Sequence, residues 1–361
     1  MRIGFINVQG GVASYPEVTG AVEAAAELVN EHLGGVQGHP LEIETCFIVE
    51  GDEDALKCAQ QFVNDPSIVA IQLGMTIFGT GPIYQAVGDR KPILGFGPFN
   101  PQDLTAENVV YYTASTYAIV GGTILHAADL GVERLAVIYD DNPGTQGQVA
   151  LMSAVAPEFD IEISAIPVSN PSEWSSAMLA AGAQTADAVA IAALPTSCVP
   201  AAQAAQQLGV TAPVFTTDLC LTPSLEEELG EWPEWIFVGP TPKVYGDADK
   251  QDVAEFIAAM DHFAAGESQG GAGPASFGLV LSMVHHLNEI GVDEVTPEGL
   301  FNALHGFTGP AYIGPPALSC GQFSDKEAPS LCAAYSFLSS YEDGEWSAVQ
   351  IDTKGLGLGA G

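Results

Sequence analysis

Arg2-Ile3-Gly4-Phe5-Ile6-Asn7-Val8 is a short apolar run that leads through the loop Gln9–Tyr15 into residues 16–34. There Val22, Ala25, Ala26, Val29 and Leu33 recur near a 3.6-residue period. Strand, loop and amphipathic helix in this order open a βαβ unit. The alternation repeats along the chain, which is the pattern of an α/β protein with parallel sheets. Strands are expected at 2–8, 41–49, 68–73, 92–96, 109–113, 134–140, 160–168, 187–194, 213–217 and 235–239. Helices are expected at 16–34, 52–64, 80–89, 117–131, 144–158, 173–184 and 196–209, with Gly131 and Gly209 as C-caps. Two series appear, one over about 1–115 and one over about 116–240.

The pattern then changes. Residues 250–266, 274–291 and 297–306 read as three helices with no strands between them. Residues 333–351 read as a β-hairpin turning at Glu342-Asp343-Gly344. The tail Gly355–Gly361 has the spacing of a dinucleotide loop, but no helix follows it, so that reading is rejected.

A chain of 361 residues, 47% hydrophobic and 15% charged, has room for two domains with substantial cores. Nine Lys+Arg stand against 45 Asp+Glu, a formal net charge of −36. That balance excludes a nucleic-acid partner, which needs basic surface, and disfavours anionic membranes. It fits solubility in a salty medium. No apolar run reaches the roughly 18 residues of a transmembrane helix, and no leader is visible. Met1 is read as standing where a removed leader ended.

Six cysteines fall in three close pairs, Cys46 with Cys58, Cys198 with Cys220 and Cys320 with Cys332. An even count at compact spacing, without a zinc or CxxC pattern, reads as disulfides and hence as an oxidising compartment. Six buried free thiols are the alternative.

The stretch from Gly4 to Val22 resembles the opening of type I periplasmic binding proteins, the leucine/isoleucine/valine-binding proteins of ABC transporters. From Leu41 to Asp65 a strand, the acidic turn Gly51-Asp52-Glu53-Asp54 and the helix Ala55–Val63 follow in order. This is similar to a segment in which that family places a local disulfide. Ile68–Gly74 and Pro92–Gly97 resemble the next two strands of the family. Nearly the whole chain is covered, and order and spacing carry the match more than any single motif.

The resemblance implies two doubly wound, Rossmann-like α/β lobes joined by a three-strand hinge. Lobe 1 would hold 1–115 and 242–332, and lobe 2 would hold 116–241 and 333–361. A ligand would bind between them at strand C-terminal ends, as in open α/β sheets generally, with hinge closure.

The loops after the strands supply the candidate ligand-binding residues: Tyr15; Met75, Thr76, Phe78, Gly79 and Thr80; Phe99 and Asn100; Asn142 and Thr145; Thr196; Asp218; and Tyr245. Thr80 and Gly81 open a helix, where a hydroxyl and free N–H groups suit a carboxylate, or form a plain cap. The resemblance implies a Ser or Thr here for the ligand carboxylate, yet Phe78-Gly79 stands where relatives often carry Ser-Ser. It also implies that an acidic residue near Asp218 binds the ligand ammonium; a turn cap beside Cys220 is the other reading. Met75, Phe78 and Phe99 make an apolar wall suited to a ligand with an apolar or aromatic body, or point in part into the core.

No metal or cofactor is expected. His285-His286 are adjacent on a helix and diverge. Asp247-x-Asp249-x-x-Asp252 lacks the glycine and glutamate of a calcium loop and reads as acid at a helix N-terminus. No HExxH or Walker loop occurs.

The reading is an extracytoplasmic solute-binding protein, cell-surface or periplasmic, possessing no catalytic residues. It works as a monomer with a membrane ABC permease and binds an amino acid or a hydrophobic or aromatic carboxylate. A sensor or receptor domain of the same fold is the alternative, and an enzyme on a doubly wound fold is a more distant one.

Overall fold

The structure, a computed structural model, describes residues 1–241, 251–324, 328–353 and 356. Tyr245, Asp247, Asp249 and Gly355–Gly361 fall outside these residues, apart from Leu356. The chain forms two compact units, one within Met1–Ser115 and Ala248–Ala334, the other within Thr116–Asp247 and Tyr335–Leu358.

The first passage runs β1 (Arg2–Val8), α1 (Pro16–His32), β2 (Glu42–Ile48), α2 (Asp52–Asn64), β3 (Ile68–Leu73), α3 (Thr80–Val87), β4 (Ile93–Gly95), α4 (Pro101–Thr105) and β5 (Val109–Tyr111). The second begins with α5 (Thr116–Asp129), β6 (Arg134–Asp140), α6 (Pro143–Val155), β7 (Glu162–Val168), α7 (Trp174–Ala181) and β8 (Ala188–Ala192). It continues through α8 (Pro195–Leu208), β9 (Val214–Thr217), α9 (Pro223–Leu229) and β10 (Ile236–Gly239). The chain then returns to the first unit as α10 (Gln251–Phe263), α11 (Gly273–Ile290), α12 (Pro297–His305) and the short pair β11 (Thr308–Gly309) and β12 (Leu318–Ser319). The hairpin β13 (Tyr335–Glu342) and β14 (Glu345–Asp352) completes the second unit.

In the first unit five parallel strands take the order β2-β1-β3-β4-β5. β1 is buried on both faces because α1 and α11 cover one side of the sheet and α2 the other, so its apolar residues run on without alternation. In the second unit, β7-β6-β8-β9-β10 repeats the same parallel order, and β13 adds to β10 antiparallel with β14 outside it. Asp343 and Gly344 turn the hairpin with φ of 52° and 85°, the two left-handed residues of a type I′ loop that matches strand twist. Two aliphatic clusters fill this unit, one around Trp174, Met178 and Phe237, the other around Ile124, Val137 and Phe215.

All ten expected strands and the hairpin form, as do the ten expected helices. The sequence reading misses α4 and α9. Each is a short helix with Pro at its first position, Pro101 after Asn100 and Pro223 after Thr222. The cap-then-Pro start was legible, but five and seven residues are too few for a helical period to show.

Three disulfides join Cys46–Cys58, Cys198–Cys220 and Cys320–Cys332, with Cα separations of 5.6, 5.4 and 4.0 Å. Each closes a loop of 12 or 22 residues, and each contributes about 3 kcal/mol in the chain-entropy model. Peptide mapping without reductant is expected to recover these three pairs. Recovery of free thiols from folded protein would contradict the pairing.

Candidate functional site

Both sheets have the strand order that reverses direction beside the first strand, so each has a switch point where loops part at strand C-terminal ends. In the first unit this point lies between β1 and β3. Asn7, fully buried in β1, ties it together: its Nδ2 donates to the Tyr15 carbonyl (2.8 Å) and Thr19 Oγ1 (3.1 Å), and its Oδ1 accepts from the Met75 N–H (3.1 Å). In the second unit the point lies between β6 and β8. Asp140 plays the matching part, accepting from the Leu194 N–H at 2.6 Å and from the Ser197 hydroxyl at 2.8 Å. Burial pushes its carboxyl up, opposed by those two hydrogen bonds. The loops carrying Tyr15 and Met75 are thus fixed to each other, and so are those carrying Asn142 and Thr196.

In the first unit Tyr15, Met75, Thr76 and Thr80 are buried, while Phe78 and Phe99 are half-buried. Phe99 stacks on Phe96 with ring planes 8° apart. Thr76 Oγ1 is buried without a hydrogen-bond partner. Thr80 starts α3, and its hydroxyl accepts from Gln102 Nε2 at 3.5 Å. Gly79 caps that helix at φ 80°, and a Cβ on it would stand 2.7 Å from Ala55 Cβ. A serine there would be strained and crowded.

Asn100 precedes α4, and its Nδ2 donates to the Ile77 carbonyl at 3.3 Å, joining the loops after β3 and β4. The anchor of this region is Asp103, which the sequence reading missed. It is fully buried and accepts from the N–H groups of Phe99 (2.9 Å) and Asn100 (2.8 Å) and from the Tyr84 hydroxyl (2.9 Å). The Tyr84 hydroxyl also meets that of Tyr111, and burial lifts the pKa of both phenols. The Asn-x-x-Asp spacing of a helix start was the available clue. Asp103→Ala leaves the Phe99 and Asn100 N–H groups without this acceptor and is expected to cost about 2–3 kcal/mol of stability in urea unfolding. Asp103→Asn, which keeps one acceptor oxygen, should cost less. An alanine variant as stable as the parent would remove the anchoring role.

In the second unit Asn142 caps α6 through Oδ1, which accepts from the N–H groups of Gly144 and Thr145, while its Nδ2 is buried without a partner. The Thr145 hydroxyl is engaged locally by the Asp140 and Asn142 carbonyls. Thr196 is exposed on the first turn of α8. Thr217 Oγ1 is a further buried oxygen without a partner.

Asp218 follows β9 and lies against Gly239 at the end of β10, where a Cβ would stand 2.5 Å from Asp218 Oδ2. Only glycine leaves room for that carboxylate. Burial pushes Asp218 up to about 7, opposed by hydrogen bonds from its own and the Leu219 N–H.

Glu17, in the first turn of α1, was also missed. It is 6% exposed and one carboxylate oxygen has no partner. Burial, and then the charge of Glu267, push it up to about 7.

Charge is distributed unevenly. Arg2 pairs with Glu42, Glu44 and Asp65 where β1 begins, and Arg134 pairs with Asp187 where β6 begins. Lys91 donates to the Asp65 carbonyl, ahead of β4. Among the described residues no Lys or Arg lies on a loop that follows a parallel strand. Glu50, Asp141, Glu173 and Asp218 lie on such loops, while Lys243 and Lys250, which follow β10, fall outside the described residues.

Among the described residues no group of three or more His, Cys, Asp or Glu is placed to hold a metal. His286 is core, its Nε2 2.8 Å from the Tyr112 hydroxyl. Asp252 lies in the first turn of α10. Gly266-Glu267-Ser268-Gln269-Gly270 has the spacing of a nucleophile elbow, but it follows helix α10 rather than a strand. No helix among the described residues is long and apolar enough to cross a membrane.

Two doubly wound units of one strand order, each built from separate stretches of the chain, define the class of type I periplasmic binding proteins. The chain belongs to the periplasmic binding protein family, whose profile matches residues 1–328. Solved structures of the same fold include a leucine-binding protein from Thermotoga maritima, 14% identical, covering 97% of this chain and 98% of that one, with a TM-score of 0.73. A fatty acid ABC transporter substrate-binding protein from Thermomonospora curvata is 15% identical over 99% of this chain and 93% of that one, TM-score 0.75. A solute-binding protein of an ABC transporter from R. palustris, in complex with 4-hydroxybenzoate, is 13% identical over 98% and 96%, TM-score 0.74. A search of curated proteins by sequence gave no match.

Proposed function

We propose that this protein is the extracytoplasmic receptor of an ABC importer, and that it captures an amino acid at its strand C-terminal ends and delivers it to a membrane permease. The family supplies the solute-binding role. The three disulfides support an oxidising compartment.

The observation that carries the choice of ligand is the charge at the strand ends. A carboxylate without an amine leaves the acids at those ends without a counter-charge; Lys243 and Lys250, which follow β10 in the sequence, lie outside the described residues. Such a ligand depends on N–H groups and hydroxyls such as those at Thr80, which complement an anion without neutralising it. An ammonium meets Asp218, with Asp140 and Asp141 on the neighbouring loops. An amino acid with an apolar side chain uses both, and places that side chain against Phe78 and Phe99. An aromatic carboxylate remains the second reading, because those same rings suit it.

Small-angle scattering with a saturating apolar L-amino acid should show a smaller radius of gyration than the unliganded protein, and the ligand should be recovered unchanged. An unchanged radius at saturation, or chemical conversion of the ligand, would count against a hinged receptor.

A further inference from the structure

The first unit carries a second concavity, a groove of about 950 Å3 between α10 and α11 with α1 beneath. The three helices end together. His32 in the last turn of α1 lies 6.1 Å, ring to ring, from Phe263 at the end of α10, and Gln37 just past α1 is hydrogen-bonded to Asn288 in the last turn of α11. The 17 residues of α1 put this end about 25 Å from the ligand loop at its start. The groove is therefore separate from the strand ends.

Its floor is apolar, formed by Leu28, Phe277, Leu281 and Ile313. At its edges Leu33 is 60% exposed and Tyr312 49% exposed, large apolar surfaces left in water. Among the described residues no Lys or Arg lines it. Glu255 stands on the α10 wall, where Gln251 donates to it at 2.8 Å, and Glu289 stands on the α11 wall, 3.5 Å from His285. The converging helix C-termini add partial negative charge.

We propose that this groove docks a helix of another protein, one with an apolar stripe flanked by Lys or Arg. The stripe covers the floor, and the basic flanks meet Glu255, Glu289 and the helix ends, a helix-in-groove recognition. The volume matches about two turns of a helix some 10 Å across. A second copy of this chain is a poor occupant, because a formal charge of −36 on each partner sets acid against acid.

The test is fluorescence anisotropy with two short peptides of one Leu/Lys composition. One has its leucines at i, i+3, i+4 and i+7, and the other has them dispersed around the helix. The patterned peptide should bind at least about tenfold more tightly. Leu33→Glu and Tyr312→Glu, both at exposed positions, should each remove that advantage. Glu255→Lys with Glu289→Lys should weaken the patterned peptide by about tenfold or more. Equal affinity for both peptides, indifference to the groove variants, or no binding would overturn the proposal. So would a concentration-dependent dimer abolished by Leu33→Glu, which would assign the groove to a second copy.

Discussion

Asp218→Asn should lower the affinity for an amino acid by about 10²–10⁴-fold, because removing one partner of a buried ion pair costs about 3–5 kcal/mol. It should leave a carboxylate that lacks an amine nearly unaffected. The substitution keeps the shape that Gly239 makes room for, so folding should survive. The same carboxyl predicts a pH dependence. It is pushed up to about 7, and only its charged form attracts an ammonium. Amino-acid affinity should therefore fall by about tenfold per unit as pH drops below 7, and the variant should lose that slope. Calorimetric titration between pH 5.5 and 8.5, on the order of the window that brackets this value, reads both effects. Equal affinity in parent and variant, with folding intact, would remove the ammonium role.

Glu17→Gln should stabilise the unliganded protein, and do so much more at alkaline than at acid pH. The folded carboxyl is pushed up to about 7, above an unfolded value of about 4.3. The native state then holds an extra proton across that window, so stability falls as pH rises through it. The loss is about 3–4 kcal/mol once the group is ionised, and glutamine avoids it. His286 and His305 act in the opposite sense: burial lowers both to about 4, so their contribution falls away as pH drops below about 6.5. Those histidines are common to parent and variant and cancel in the difference. Urea unfolding at about pH 5 and about pH 8, on either side of the window, should give a small gain at the lower pH and about 3 kcal/mol at the higher. An equal gain at both would mean that Glu17 is already ionised in the fold.

Strands and long helices were legible because burial on both faces of a parallel sheet writes itself as apolar runs, and covering helices as a 3.6-residue period. Val22 to Leu33 and the run from Ile68 to Leu73 are instances. The turn at Asp343-Gly344 was legible because few residue pairs adopt two left-handed conformations. What escaped was polar and internal. Asn7, Asp103 and Asp140 each fix a loop through backbone N–H groups supplied by residues far along the chain or beyond a turn. Asn7 meets Met75, and Asp140 meets Leu194. Such partners depend on which strands become neighbours, which spacing along one chain does not reveal. Glu17 escaped for a related reason. A glutamate in the first turn of a helix ordinarily faces water and complements the helix dipole, and here packing by segments far along the chain, with Glu267 and Gly273 against α1, buries it. The departure at Gly79 was visible as letters, but the approach of Ala55 to this left-handed residue lies in the packing of α2.

A thermal-shift panel on the wild-type protein at about pH 8, above the titration of Asp218, tests the central claim most directly. It compares apolar and aromatic L-amino acids with the matching carboxylic acids that lack the amine. The account predicts stabilisation by at least one amino acid, about 2.7 kcal/mol at a hundredfold excess over its dissociation constant, and little or none from the amine-free acids. Stabilisation by an amine-free carboxylate with none from any amino acid would contradict it.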